Sequence, residues 1–121
     1  MTITSILIMC FLPYVLAGLA KFGGKGGFNN HVPRVALAKL TGWRQRANFA
    51  QANQFEALPL FIAGVVFATL HNAPVGLLNI ILALIVIIRI VYSFLYITDK
   101  ASLRSLVWLS GIILSISLFF I

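Results

Sequence analysis

The chain has 121 residues, of which 61% are hydrophobic and 9% charged. Soluble domains run at roughly 45–50% apolar and about 25% charged, so a soluble globular domain and a disordered chain are both excluded, and lipid is the expected solvent. The net charge of +7 reflects scarcity of acid, with Glu56 and Asp99 as the only carboxylates, and the single Cys10 excludes a disulfide framework.

Four apolar stretches approach the length of about 20 residues that a bilayer core requires. The first runs from Ile3 to Ala20. Nothing basic precedes it, so it is expected to remain as a helix and not to be cleaved as a signal peptide. Next comes the longest connection, with a Gly- and Lys-rich loop from Lys21 to Gly27 and a helix start at Asn30-His31-Val32-Pro33. Val35, Leu37, Ala38 and Leu40 then form a short helix at the membrane surface, which Gly42 ends, and Trp43 suits the interface.

The second stretch, Ala47 to Leu70, has a polar first half and should bend near Pro59. The third runs from Val75 to Ile97 and the fourth from Leu103 to Ile121. Runs such as Ile80 to Ile88 do not alternate, which argues against a β-barrel, and helices satisfy their own backbone groups in lipid. The expectation is an all-α integral membrane four-helix bundle, one domain over residues 1–121.

Eight of the nine basic residues lie in the first and third connections: Lys21, Lys25, Arg34, Lys39, Arg44, Arg46, Lys100 and Arg104. The positive-inside rule puts those connections in the cytoplasm and both termini outside. The charge is thus a topology signal in contact with membrane lipids, and nucleic acid is not expected as a partner.

The ninth basic residue, Arg89, lies within the third stretch. With Tyr92 and Tyr96 it forms a stripe about 60° wide, and Arg46, Asn53 and Glu56 share a sector of about 80° on the second stretch. Glu56 and Arg89 lie at similar depth and are expected to pair, because an unpaired intramembrane charge is costly. Such polar side chains can be interhelical glue. Six of them between Arg46 and Glu56, facing the Arg-Tyr-Tyr stripe, equally describe a cytoplasm-facing cavity for a small zwitterionic or anionic ligand. No metal site is expected, since one carboxylate and no histidine lie in the stripes.

The run from Arg46 through Gln51, Asn53 and Glu56 to Pro59 and Phe61 resembles the second-helix motif of the membrane-associated proteins in eicosanoid and glutathione metabolism. Arg89-Ile-Val-Tyr92-Ser-Phe-Leu-Tyr96, followed by Leu103-Arg104-Ser105, is similar to that family's third-helix motif and the basic residue after it. Leu12 to Lys21 and Gly42-Trp43-Arg44 are similar to its bacterial branch, which implies a bacterial inner membrane. The resemblance implies a homotrimer with glutathione bound between subunits near the cytoplasmic side. By position it assigns Arg46, Gln51, Asn53, Glu56, Tyr92 and Tyr96 to the glutathione cavity, with Arg89 supporting Glu56. Arg104 matches the arginine that stabilises the glutathione thiolate in catalytic members. Phe49 stands where many glutathione-using members carry a second arginine. The expected function is a glutathione-dependent transferase or peroxidase acting on a hydrophobic small molecule. The alternatives are a non-catalytic lipid-binding or scaffold protein of the same fold, and a small proton-coupled transporter using Glu56. A small-x-x-x-small spacing at Gly64 and Ala68, and at Gly111 and Ser115, is compatible with close helix approach between subunits.

Overall fold

A computed structural model describes residues 2–121, and among them there are five helices and no strand: α1 (Thr2–Phe22), α2 (Pro33–Ala38), α3 (Gly42–Leu70), α4 (Val75–Ile97) and α5 (Ala101–Ser117). Helices α1, α3 and α4 are long and apolar enough to cross a membrane. Helix α5, at 17 residues, is shorter. It tightens after Ser117 through i→i−3 bonds from the Phe119 and Phe120 amides, so the chain from Leu118 to Ile121 is not helical as expected.

Helix α4 has the bounds expected from hydropathy. Helix α2 begins at Pro33, whose missing N–H costs nothing in the first turn. Gly42 does not end α2, which stops at Ala38. It opens α3 instead, with φ of +63°. Helix α3 therefore extends further toward its N-terminus than hydropathy suggests, and two arginines in that extension tie the bundle together. Arg44 donates from Nε to the Ala20 carbonyl oxygen (2.8 Å) and from Nη2 to that of Lys21 (2.6 Å). Arg46 donates from Nε to the Ile97 carbonyl oxygen at 3.0 Å. Each guanidinium meets orphan carbonyls at the negative end of a neighbouring helix, α1 or α4. The C-terminal ends of α1 and α4 and the N-terminal end of α3 are thereby held at one basic end of the bundle.

The two short connections share one device. Asn72 (φ 56°) follows α3 and Asp99 (φ 62°) follows α4, each in the left-handed region. The next amide reaches back five residues, Ala73 to Ala68 and Lys100 to Leu95, closing a Schellman turn. Asn and Asp are the non-glycine residues that tolerate this conformation best.

Packing divides the bundle along its length. Met9, Phe61, Val65, Ala68, Leu78, Leu82, Ile85 and Leu118 form an apolar core around the α3–α4 turn. Toward the basic end the buried side chains become polar, with Gln54, Arg89 and Ser93 each 5% exposed or less. Most remaining large apolar side chains, such as Phe11, Ile80, Phe94 and Leu106, point outward. In a membrane protein that outward face is suited to contact with lipid.

The small residues are used inside the chain. A Cβ on Gly64 would lie 3.0 Å from Leu118 and from the Ser115 carbonyl oxygen, and one on Gly111 would lie 3.3 Å from Ile88. Gly64, Gly111 and Ser115 therefore set the approach of α5 to α3 and α4, a use of their small size within one chain.

Candidate functional site

The site grows from the polar half of α3. Successive residues advance about 100° around the helix, so Asn53 and Glu56 share one face while Gln54 turns toward α4. There Gln54 meets Arg89. The Arg89 Nε donates to Gln54 Oε1 (2.8 Å), and Gln54 Nε2 donates to the Arg89 carbonyl oxygen (3.0 Å) and to Ser93 Oγ (2.7 Å). Ser93 completes the cluster by donating to the Arg89 carbonyl oxygen at 2.9 Å. Arg89 Nη2 reaches Asn53, at 2.9 Å to Oδ1 and 3.2 Å to the main-chain oxygen.

This arrangement corrects the expected Glu56–Arg89 pair. Matching depth did bring the two regions together, but the groups facing Arg89 are neutral oxygens of Gln54 and Asn53. Glu56 is exposed on the cleft side, with its Oε2 3.5 Å from Asn53 Nδ2. An arginine needs acceptors, and several neutral ones serve where a carboxylate was anticipated.

Arg89 also begins a stack in which two guanidinium groups flank two tyrosine rings. Its Cζ lies 4.6 Å from the Tyr92 ring centroid, Tyr92 and Tyr96 meet edge to face at 5.7 Å, and Arg104 Cζ lies 4.3 Å over Tyr96. Guanidinium over an aromatic face is favourable by roughly 0.5–2 kcal/mol according to exposure. The α4–α5 turn makes the contact possible by bringing Arg104, in the first turn of α5, back alongside the last turn of α4. Among the described residues the Arg104 side chain makes no hydrogen bond or ion pair, so its N–H groups are free to meet a ligand.

Between α3, α4 and α5 lie two adjoining cavities. One, of about 190 Å³, is lined by Asn53, Tyr92, Tyr96, Arg104, Ser105 and Trp108. The other, of about 110 Å³, is lined by Asn53, Glu56, Ala57, Trp108 and Ile112. Asn53 and Trp108 belong to both. The structure thus gathers Asn53, Glu56, Tyr92, Tyr96 and Arg104 around one cleft. Beside Arg104's row of donors, Asn53 Nδ2 and the tyrosine hydroxyls, it holds one carboxylate, a set suited to a ligand bearing both carboxylates and an ammonium.

Three other expected site residues stand apart. Arg89 lies behind the cleft, 2% exposed, and reaches it only through Asn53 and Tyr92. Arg46 commits its Nε to the end of α4. Gln51 lines a different cavity of about 450 Å³, with Arg34, Leu37, Ala38, Asn48, Phe49, Ala52 and Phe55, where α2 lies against α3. Among the described residues its buried Oε1 has no hydrogen-bond partner. Phe49 belongs to that cavity as well, so the apolar replacement noted in the sequence falls outside the Arg104 cleft.

Sequence reasoning did not single out Gln54, Ser93 or Trp108. The signals were present: Gln54 follows Asn53, Ser93 lies one turn after Arg89, and Trp108 lies one turn after Arg104. What was missing was the rotational setting of α3 against α4, which decides that Gln54 is buried and Glu56 is not.

No curated protein and no solved structure matches the chain. The MAPEG family model matches residues 1–121, the whole of the sequence. Apolar spans, the paired α3 and α4 motifs and the cleft between them are thus features of an integral membrane protein that belongs to the MAPEG family.

Proposed function

We propose that the chain is a glutathione-dependent transferase or peroxidase, working as a homotrimer on lipophilic electrophiles at the cytoplasmic side of a bacterial inner membrane. The observation that carries this reading is the Arg104 guanidinium stacked on Tyr96 at the mouth of the Asn53–Tyr92 cleft, with its N–H groups unengaged. Family membership supports it, since MAPEG proteins include glutathione-dependent transferases and peroxidases as well as non-catalytic members.

Bound glutathione supplies a thiol that attacks as the thiolate. Arg104 is the residue that favours the ionised sulfur, and each unit by which a thiol pKa falls corresponds to about 1.4 kcal/mol. Tyr96 fixes the guanidinium plane from below. Glu56 is suited to the ligand ammonium, and Asn53 Nδ2 and Tyr92 to its carboxylate or carbonyl oxygens. Trp108, 40% exposed, provides an apolar wall continuous with the lipid-facing surface, along which a hydrophobic electrophile approaches.

The cleft volumes of about 190 and 110 Å³ support a shared site. Small-molecule pockets usually span about 300–1,000 Å³ and bury most of their ligand, so a neighbouring subunit is the natural wall for this open shelf. Phe49 favours the second reading, a non-catalytic lipid binder of the same fold, because with Leu37, Ala52 and Phe55 it gives the separate α2–α3 cavity a largely apolar wall suited to a lipid chain. Calorimetric titration of the detergent-solubilised protein with glutathione separates the two. Binding that is lost in Glu56→Ala supports the first, and no binding by wild type supports the second.

A further inference from the structure

The geometry points to Arg89 and Gln54 as positioning residues that turn the Asn53 carboxamide so that its NH2 group faces the cleft, making that wall a hydrogen-bond donor for an anionic or carbonyl group of the ligand. This rests on the functional reading above and specifies which part of the ligand Asn53 takes.

Arginine has donors only. Whatever faces Arg89 must therefore be an acceptor, and Nη2 lies 2.9 Å from Asn53 Oδ1. With the oxygen committed, Nδ2 is necessarily the end of the amide turned away from Arg89. Among the described residues its one hydrogen-bond partner is Glu56 Oε2 at 3.5 Å, a contact too long to satisfy two N–H bonds. Asn53 lines both cleft cavities, so a donor is left open to a ligand.

The orientation is enforced from deeper in the bundle. Ser93 donates its hydroxyl proton to the Arg89 carbonyl oxygen, which leaves Ser93 Oγ to accept from Gln54 Nε2. Gln54 Oε1 must then face Arg89 Nε. That contact anchors the guanidinium at Nε and leaves the adjacent Nη2 to meet Asn53. Ser93, Gln54 and Arg89 are all buried, so no water competes for these bonds. Arg89 acts on the ligand only through Asn53.

The test compares Asn53→Asp with Asn53→Ala in the full chain in detergent, by thermal unfolding and by calorimetric titration with reduced glutathione. Aspartate keeps the acceptor that Arg89 requires but offers the cleft an oxygen in place of N–H. Its unfolding midpoint is expected above that of the alanine variant, because the pairing with Arg89 is kept while the second oxygen meets the Glu56 carboxylate. Glutathione affinity is expected to fall about 10- to 100-fold in both, as for loss of a hydrogen bond to a charged group, with Asn53→Asp at least as weak. In Arg89→Gln, a residue that can also accept, affinity should fall although Asn53 is intact, and adding Asn53→Asp should lower it little further. An Asn53→Asp protein that unfolds with the alanine variant, or that binds glutathione as wild type does, overturns the proposal. If wild type binds no glutathione, the functional reading falls, while an Asn53→Asp midpoint above that of Asn53→Ala still upholds the orienting relay.

Discussion

Gln54 and Arg89 exchange hydrogen bonds across the α3–α4 interface, Arg89 Nε to Gln54 Oε1 at 2.8 Å and Gln54 Nε2 to the Arg89 carbonyl oxygen at 3.0 Å. A buried cation is thereby held by neutral groups. The arrangement is sensitive to loss of one partner, because the guanidinium would be left short of acceptors in a medium with little water. Gln54→Leu should destabilise the protein by about 2–4 kcal/mol, within the range for breaking a buried charged contact. The double variant Gln54→Leu with Arg89→Met should recover much of that loss, since an apolar pair leaves no group unsatisfied. Reversible unfolding in mixed micelles, analysed as a double-mutant cycle, measures the coupling.

The arginines at the start of α3 are joints between helices. Arg44→Met and Arg46→Met each remove a charged donor from carbonyl groups at the end of another helix. Each should cost about 1–3 kcal/mol. Hydrogen exchange should rise locally, in the last turn of α1 for Arg44→Met and in the last turn of α4 for Arg46→Met.

Gly64 holds α5 against α3 at a separation that leaves no room for a side chain. Gly64→Val should lower stability by about 1–3 kcal/mol through overpacking. The effect should appear in the unfolding midpoint of the chain and not as selective loss of oligomers on cross-linking, because the contact lies within one subunit.

Asp99 is one of only two acids in the chain, yet its place in the structure is conformational. Asp99→Gly should be neutral or raise stability by up to about 1 kcal/mol, and Asp99→Val should lower it, since a β-branched residue resists positive φ. Thermal melts of the two variants separate this role from any need for the carboxylate.

Much of this architecture is legible from hydropathy and period. Val75 and Ile97 bound α4 because apolar residues dominate it on both sides of Arg89 and turn residues stand at either end. The start of α3 was less legible, since Gly42 to Arg46 is polar and its helicity depends on Arg44 and Arg46 finding carbonyls of α1 and α4. The site shows the same limit. Helical period put Asn53 and Glu56 on one face and Arg89, Tyr92 and Tyr96 on another, and the structure joins Asn53, Glu56 and both tyrosines in one cleft. It could not set the rotation of α3 against α4. Charge complementarity therefore suggested Glu56 as the partner of Arg89, where the amide oxygens of Gln54 and Asn53 stand instead. Gly64 and Ser115 mark a close helix approach, but spacing does not say whether the neighbour is the same chain or another.

The thiolate role proposed for Arg104 is tested directly by ultraviolet thiolate absorbance on adding glutathione to wild type and to Arg104→Ala in detergent. Wild type should develop the thiolate band near neutral pH. Arg104→Ala should still bind glutathione through Asn53, Glu56 and Tyr92, as calorimetry would report, but lose the band and its turnover of a lipophilic electrophile. Glutathione bound to wild type with no thiolate band, or an Arg104→Ala protein with an undiminished one, would contradict the account.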